Sequence, residues 1–387
     1  MSVTAAQGFV ASGVAAGLRR SAPDLAVVLS LQPAVGAAMW TTNRVLAAPV
    51  LVSQRHLAAS EPQAVVINSG QANAATGARG IVDAEQTAAK AASLLGLRAD
   101  EVVVLSTGVI GPPLPMQKLL SGLERAVVAL TPTGGAEAAA AILTTDRAPK
   151  EAVVAEGGFT VGGMAKGAGM IHPRLATMLG VVTTDYPLEP GEAAALLGPA
   201  VESSFNRVSV DGECSTNDAV LLLANGASGI VRDAAGDRRF AEALGEVCSR
   251  LARQIVEDGE GATVLLEIEV SGAASEPEAD AIARRIATSP LVKTAAFGRD
   301  PNWGRVLAAA GSAPWNGGFA QLDPDVLRVS FDGTVVFDRG GATGRVPGLD
   351  GPAVRIELDL GLGVGAASYL ASDLTYDYVR LNAEYTT

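Results

Sequence analysis

The chain alternates short apolar, β-branched runs with alanine-rich helical stretches, and this alternation is the feature that most limits its fold. In the first half, strand-like runs bounded by Pro, Gly or Asn occur at 24–31, 45–52, 63–68 and 101–105. Helices are predicted at 83–95, 115–130 and 137–143. A chain that mixes the two periodicities in this way predicts an α/β or α+β fold.

The second half continues the same mixture. Helices are predicted at 191–204, 239–257 and 278–288, and strands at 219–224, 263–270, 326–337 and 354–360. Strand spacing is too irregular for a (β/α)₈ barrel, and no internal repeat is present. Two segments interrupt the pattern: 149–159, and the small polar stretch 271–277, a candidate join to a C-terminal subdomain.

Composition and charge exclude several classes of protein. Hydrophobic residues make up 48% of the 387 residues, which is enough for a sizeable core. The net charge of −12 disfavours nucleic acid as a partner, although a locally positive pocket is still compatible with small anions. No apolar run reaches the ~18–20 residues needed to cross a bilayer, and the N-terminus lacks a secretory pattern. We expect a cytoplasmic protein that does not act at membranes.

Histidine and cysteine are both scarce. With only His56 and His172, a multi-histidine metal site is excluded, and a catalytic base is expected to be some other group. Cys214 and Cys248 are interpreted as buried thiols, with a single pairing between them left open.

The glycine-rich segment 162–185 is the most unusual in the chain. It carries Lys166 and reaches Ala176 and Thr177 just before an apolar strand-like run. A threonine at this place is commonly an ordinary strand residue. The alternative is a self-cleaving peptide bond, in which the Thr177 hydroxyl attacks the preceding carbonyl and Thr177 becomes a new N-terminus. The freed α-amino group, with a reference pKa of ~7.7–8.0, would then serve as the base.

Other polar segments each have a structural and a chemical interpretation. Thr107 and Gly108 follow a predicted strand and suit either a turn or a pair of oxyanion donors. Glu260 lies in a segment typical of a helix C-cap, but it could also face an ammonium group. The glycine-rich segment 361–365 is interpreted as a turn or bulge, because no βαβ unit follows it. Segment 298–305, with Trp303 between two arginines, indicates a braced loop or an interface.

Eight segments in the same order give the chain a resemblance to the ornithine acetyltransferase family, the glutamate N-acetyltransferases of arginine biosynthesis. They are TTNRVLAAPV, VINSGQANAATG, STGVIG, KGAGM followed by ATML, SVDGECSTND, DGEGAT, GRDPNWGR and NAEYTT. The resemblance implies an α-β-β-α sandwich with a smaller C-terminal α/β subdomain, here from about 272 to 387. It also implies cleavage into an α chain of residues 1–176 and a β chain of 177–387, associated as α2β2.

The resemblance also assigns site residues. Thr177 is then the nucleophile of self-cleavage and of acetyl transfer, and Thr107 and Gly108 form the oxyanion hole. The amino-acid site is lined by Lys166, Thr177, Glu260, Asn382 and Thr387. The implied reaction moves acetyl from N2-acetyl-L-ornithine to L-glutamate without a metal or organic cofactor. Some members also use acetyl-CoA as donor, and no residue here decides that point.

Three positions depart from the family pattern. Arg147 stands where Thr is frequent, Gln71 where Asn is common, and Cys214 where Thr or Ser is frequent. Two rival functions also stay open. One is a self-processing N-terminal-nucleophile amidohydrolase or aminopeptidase, in which water replaces glutamate. The other is a non-catalytic amino-acid-binding protein.

The intact mass of freshly purified protein under denaturing conditions tests the cleavage hypothesis. We expect two species whose masses sum to the full chain plus one water, the second beginning at Thr177. A single uncut chain would deprive the Thr177 mechanism of its base and would favour the binding protein.

Overall fold

The computed structural model describes residues 2–20, 22–172 and 178–384. Its strands are β1 (Phe9–Val14), β2 (Leu25–Ser30), β3 (Val35–Trp40), β4 (Ala64–Gln71), β5 (Val102–Val109), β6 (Lys150–Glu156), β7 (Phe159–Lys166), β8 (Leu179–Thr184), β9 (Val208–Ser209), β10 (Ala219–Ala224), β11 (Leu265–Ala273), β12 (Pro314–Trp315), β13 (Gly318–Phe319), β14 (Arg328–Phe331), β15 (Thr334–Asp338), β16 (Gly341–Ala342), β17 (Ala353–Asp359) and β18 (Gly365–Ser372). Its helices are α1 (Ala48–Ala59), α2 (Gly77–Leu95), α3 (Met116–Val128), α4 (Gly135–Ala141), α5 (Glu192–Glu202), α6 (Ala234–Glu257), α7 (Glu276–Ala287), α8 (Pro290–Phe297), α9 (Trp303–Ala310) and α10 (Tyr376–Glu384).

Two sheets pack face to face at the centre of the molecule. The first has the strand order β1-β2-β4-β5 and the second β3-β10-β8-β7-β6. Ile67 and Leu105 of the first sheet share a buried cluster with Val181 and Leu221 of the second. The strands are almost wholly apolar because both faces of each sheet are covered, which explains why their sequences show continuous apolar runs and not alternation.

Helices cover the two outer faces. Alanine-rich α2 and amphipathic α3 pack on the first sheet, where Ala88 and Leu123 meet Val66. On the second sheet, α5 and α6 pack with residues such as Leu197 and Leu251. The layers therefore follow the order α-β-β-α, which confirms the predicted sandwich.

A third sheet forms a separate layer, with the order β16-β15-β14-β17-β11-β18-β9. Its buried face packs on α7 and α9 through Ile268, Ile356, Ile282 and Val306. This smaller α/β unit confirms the predicted C-terminal subdomain as part of the fold class. The exact limits of the subdomain and of the two chains stay predictions.

Two local predictions were wrong. The run 45–52 was predicted as a strand, but α1 begins at Ala48 with Pro49 in its first turn, where proline is well tolerated. Its branched residues Val50 and Val52 are buried against the sandwich, so packing overrides their strand propensity. The interruption at 149–159 is largely a β-hairpin of β6 and β7. Its turn uses two glycines with positive φ.

No disulfide joins Cys248, which is buried, to Cys214, which is half-buried, so the pairing left open by the sequence is absent. In the part of the chain that the structure describes, no helix is both long and apolar enough to cross a bilayer.

An aromatic group anchors α6 to the second sheet and provides a test of this packing. The Phe240 ring stacks on Tyr186 with centroids 4.7 Å apart and contacts Phe159 edge-on. Phe240 is 0% exposed. We expect Phe240→Ala to lower the free energy of unfolding by about 3–5 kcal/mol, measured by equilibrium urea unfolding.

The matched control is Val128→Ala at the end of α3, where the side chain is 88% exposed and the expected change is within about 0.5 kcal/mol. Equal changes in the two variants would contradict this packing.

Candidate active site

The end of β5 presents Thr107 and Gly108 beside the neighbouring parallel strand. Thr107 lies opposite Ser69, and Gly108 opposite Gly70. Gly108 has a φ of 128°, and a Cβ there would come within 2.3 Å of the Gly70 carbonyl carbon. Only glycine allows the two backbones to approach so closely. The structure therefore requires glycine at position 108, independently of the predicted oxyanion role of Gly108.

A cavity of about 180 Å³ lies at this strand end. The described residues lining it are Thr107, Gly108, Thr144, Thr145, Lys166, Gly169, Met170, Asp211, Glu213, Glu260, Tyr378 and Asn382. They include the predicted site residues Thr107, Gly108, Lys166, Glu260 and Asn382, which are scattered over 276 positions of sequence, from 107 to 382. Ala176, Thr177 and Thr387 lie outside the described residues. The catalytic and binding roles of all eight stay predictions.

Lys166 ends β7, and its side chain is only 2% exposed. Its Nζ lies 3.9 Å from Oδ2 of Asp146. Burial lowers the pKa of the Lys166 ammonium, and the negative charge of Asp146 opposes that shift without cancelling it. The cavity thus contains a buried lysine whose ammonium lies beside the Asp146 carboxylate.

Asp146 belongs to a buried ionic network behind Lys166. Its Oδ1 accepts hydrogen bonds from Lys150 Nζ at 2.5 Å and from the Gly167 N–H at 2.7 Å. Burial alone would raise the pKa of Asp146, but the charges of Lys166 and Lys150 outweigh it and hold this pKa well below its usual range. Lys150 Nζ also donates to Asp258. The network therefore connects Asp146 to the end of α6.

Arg147 closes the outer side of this network. Its Nε donates to Oδ1 of Asp258 at 2.8 Å, and its backbone N–H donates to Oδ2 at 2.9 Å. The residue that departs from the family pattern is thus an ion-pair partner beside the cavity.

Glu260 reaches the cavity from the turn after α6. Its backbone N–H donates to the Ala168 carbonyl at 2.8 Å, and its carboxylate accepts from Asn382 Nδ2 at 2.8 Å. A Cβ on Gly169 would come within 2.5 Å of this carboxyl group, so the glycine makes room for it. The contact with Asn382 also ties helix α10 to the turn after α6.

A loop near the N-terminus holds the part of the cavity wall that Thr144 forms. Buried Asp24 accepts hydrogen bonds from four successive backbone N–H groups, those of residues 16–19. The loop so formed presents Arg19, whose guanidinium donates to the carbonyls of Leu143 at 2.7 Å and Thr144 at 3.3 Å.

The SVDGECSTND segment contributes residues that sequence reasoning missed. Asp211 accepts from the N–H groups of Met170 at 2.6 Å and Ile171 at 3.0 Å, and burial raises its pKa. Asn217 donates to the carbonyls of Ala72 and Ser106, which holds the end of β5 in place. The density of polar residues in this segment is a signal present in the sequence, since turn chemistry accounts for Asp211 and Gly212 but not for the others.

The same segment also reaches the predicted cleavage site. Oδ1 of Asp218 accepts from the N–H of Met178 at 2.8 Å, the residue directly after Thr177. Asp218 is 1% exposed. A buried carboxylate thus holds the backbone of Met178, just before β8.

Two other motifs do not line the cavity. Asn302 caps α9 and Trp303 packs on Phe337 with ring centroids 5.0 Å apart, so segment 298–305 is the braced loop allowed by the sequence. Residues 361–364 form a bend that leads into β18, which begins at Gly365, in agreement with the turn interpretation.

The cavity suits a small molecule with both signs of charge. Lys166 supplies an ammonium group, Glu260 and Asp211 supply carboxyl groups, and Thr107 supplies a hydroxyl. Among the described residues, no three His, Cys, Asp or Glu side chains are grouped to hold a metal ion. These groups match the head and side chain of an α-amino acid.

Comparison with known proteins identifies the family of the chain. The model of the ArgJ family matches residues 10–387. Proteins named arginine biosynthesis bifunctional protein ArgJ are 48% identical in Streptomyces avermitilis and in Thermobifida fusca, with the whole of each chain covered. A crystal structure of ornithine acetyltransferase complexed with ornithine, from Mycobacterium tuberculosis, is 47% identical over 44% of this chain and 94% of its own, with a TM-score of 0.43. On the family match and the full-length identities, this chain belongs to the ArgJ family.

Proposed function

We propose that this chain is a self-cleaving acetyltransferase that moves the acetyl group from N2-acetyl-L-ornithine to L-glutamate through an acetyl-Thr177 intermediate. The observation that carries the proposal is the cavity that brings Thr107, Gly108, Lys166, Glu260 and Asn382 together. Full-length identity of 48% to ArgJ proteins supports the same reaction.

The chemistry needs no histidine. In the first half-reaction the Thr177 hydroxyl attacks the acetyl carbonyl, and its own α-amino group takes the proton. Thr107 and the Gly108 N–H stabilise the oxyanion. Loss of one such donor typically lowers the rate ~10²–10³-fold. The C–N bond then breaks, and ornithine leaves with the proton. In the second half-reaction the glutamate amine attacks the ester and restores Thr177.

One amino-acid site serves both half-reactions, because donor and acceptor share the same head group. In this proposal Lys166 binds the α-carboxylate and Glu260 binds the δ-ammonium of ornithine, with Asn382 and Thr387 completing the site. The ion pair of Lys166 with Asp146, at 3.9 Å, supports a charged lysine despite its burial.

Further parts of the proposal concern donors, assembly and location. The scheme uses no metal or organic cofactor, and acetyl-CoA is a candidate second acetyl donor. Cleavage before Thr177 yields α and β chains that assemble as α2β2 in the cytoplasm.

Steady-state kinetics test the covalent scheme. We expect parallel double-reciprocal lines when N-acetylornithine is varied at several glutamate concentrations, because product leaves before the second substrate reacts. Without glutamate, one acetyl group should stay on the β chain, detected by intact mass. Intersecting lines would contradict the scheme, and steady acetate release without glutamate would favour the amidohydrolase.

Replacing the nucleophile gives a second test. Thr177→Ala should abolish self-cleavage and lower acetyl transfer by about 10⁴-fold or more, since it removes the attacking oxygen. The control is Thr294→Ala, an exposed threonine on α8, which should cleave and transfer acetyl normally. Transfer retained in Thr177→Ala would refute the assignment.

A further inference from the structure

A smaller cavity of about 90 Å³ adjoins the candidate site behind Glu260. Thr145 and Glu260 line both cavities, whereas Arg147 and Asp258 line only the smaller one. The two cavities therefore meet at Thr145 and Glu260, and the smaller one extends from there to Arg147. The volume corresponds to roughly three water molecules at ~30 Å³ each, which is room for a carboxylate group.

The two substrates of the proposed function pose an electrostatic problem at this point. Ornithine carries a side-chain ammonium and glutamate a side-chain carboxylate, yet both use one site. Glu260 attracts the first and repels the second. Among the described residues lining the two cavities, the cationic side chains are Lys166 and Arg147. Lys166 is buried against Asp146 and is assigned to the α-carboxylate of the substrate. Arg147 is therefore the cation that remains for the side-chain carboxylate of glutamate.

The contacts of Arg147 allow it to take a second anion. Its side chain is 60% exposed, and Nε and one terminal nitrogen bind Asp258 and the Glu257 carbonyl. A guanidinium has five N–H donors in a fork that suits carboxylates, so donors remain for another partner. Asp258 also keeps the ammonium of Lys150 as a partner. If Arg147 also binds a second carboxylate, the charge of Asp258 therefore stays compensated by Lys150.

We propose that Arg147 is a specificity residue of the acceptor step, which offsets the repulsion from Glu260 and so favours an acceptor amino acid with an anionic side chain. This inference rests on the proposed function. Because the Arg147 side chain is 60% exposed, Arg147→Thr is a variant compatible with the fold.

The test separates the two substrates. In the mature enzyme, Arg147→Thr should raise the KM for glutamate about tenfold, the size expected for one partly solvated charge-assisted contact. The KM for N-acetylornithine and the amount of acetyl-enzyme formed without glutamate should change by less than about twofold. Arg147→Lys should restore part of the glutamate affinity, because the charge is kept. Added salt should weaken glutamate binding more in the parent than in Arg147→Thr.

Arg55→Thr is the matched control. Arg55 also pairs with a carboxylate at 2.8 Å and is 58% exposed, but it lies on α1 and contacts Glu85 of α2. Neither KM should change in this variant. Equal increases in both KM values for Arg147→Thr would mean that Arg147 only holds the turn of Glu260, and unchanged values would mean no role; both overturn the inference. An absence of acetyl-enzyme in the parent protein would instead refute the proposed function, and this inference with it.

Discussion

The ammonium of Lys150 holds together the segments that form the candidate site. It donates to Asp146, which binds the backbone just after Lys166, and to Asp258, which begins the turn that carries Glu260. Lys150 is 1% exposed. Removing one partner of a buried ionic group commonly costs about 3–5 kcal/mol, because the remaining charge is left uncompensated. The relative positions of Lys166 and Glu260 thus depend on the hydrogen bonds that Lys150 donates to Asp146 and Asp258.

The network also explains how an acidic chain keeps a cation inside a small cavity. Lys166 is desolvated, which favours its neutral form, and the nearby Asp146 carboxylate works against that shift. Lys150 and Lys166 both interact with Asp146. Each lysine therefore reduces the stabilisation that this carboxylate gives to the other. The local balance, and not the net charge of −12, therefore decides which ligand fits.

Sequence reasoning found the elements with a long helical pattern or a clearly bounded apolar run, such as the helix at 239–257 and the strand at 219–224. It failed at 45–52, because a short apolar run looks the same in a strand and in a buried helix. The resemblance brought Thr107, Lys166 and Glu260 into the candidate site. It could not show the network of Asp146, Lys150 and Asp258, because Asp258 lies 108 residues from Lys150 and only the folded sandwich brings them together.

The strand order of the second sheet has a consequence for a cut chain. Under the proposed cleavage, β8 and β10 belong to one polypeptide and are inserted between β3 and β7 of the other. The two chains stay joined through the β7–β8 ladder, where Lys166 pairs with Leu179. The two pieces cannot separate without dismantling the sheet. Once denatured, however, they must find each other by diffusion, so a reaction that was unimolecular during biosynthesis becomes bimolecular. Under this proposal, recovery of the cleaved protein from denaturant depends on its concentration.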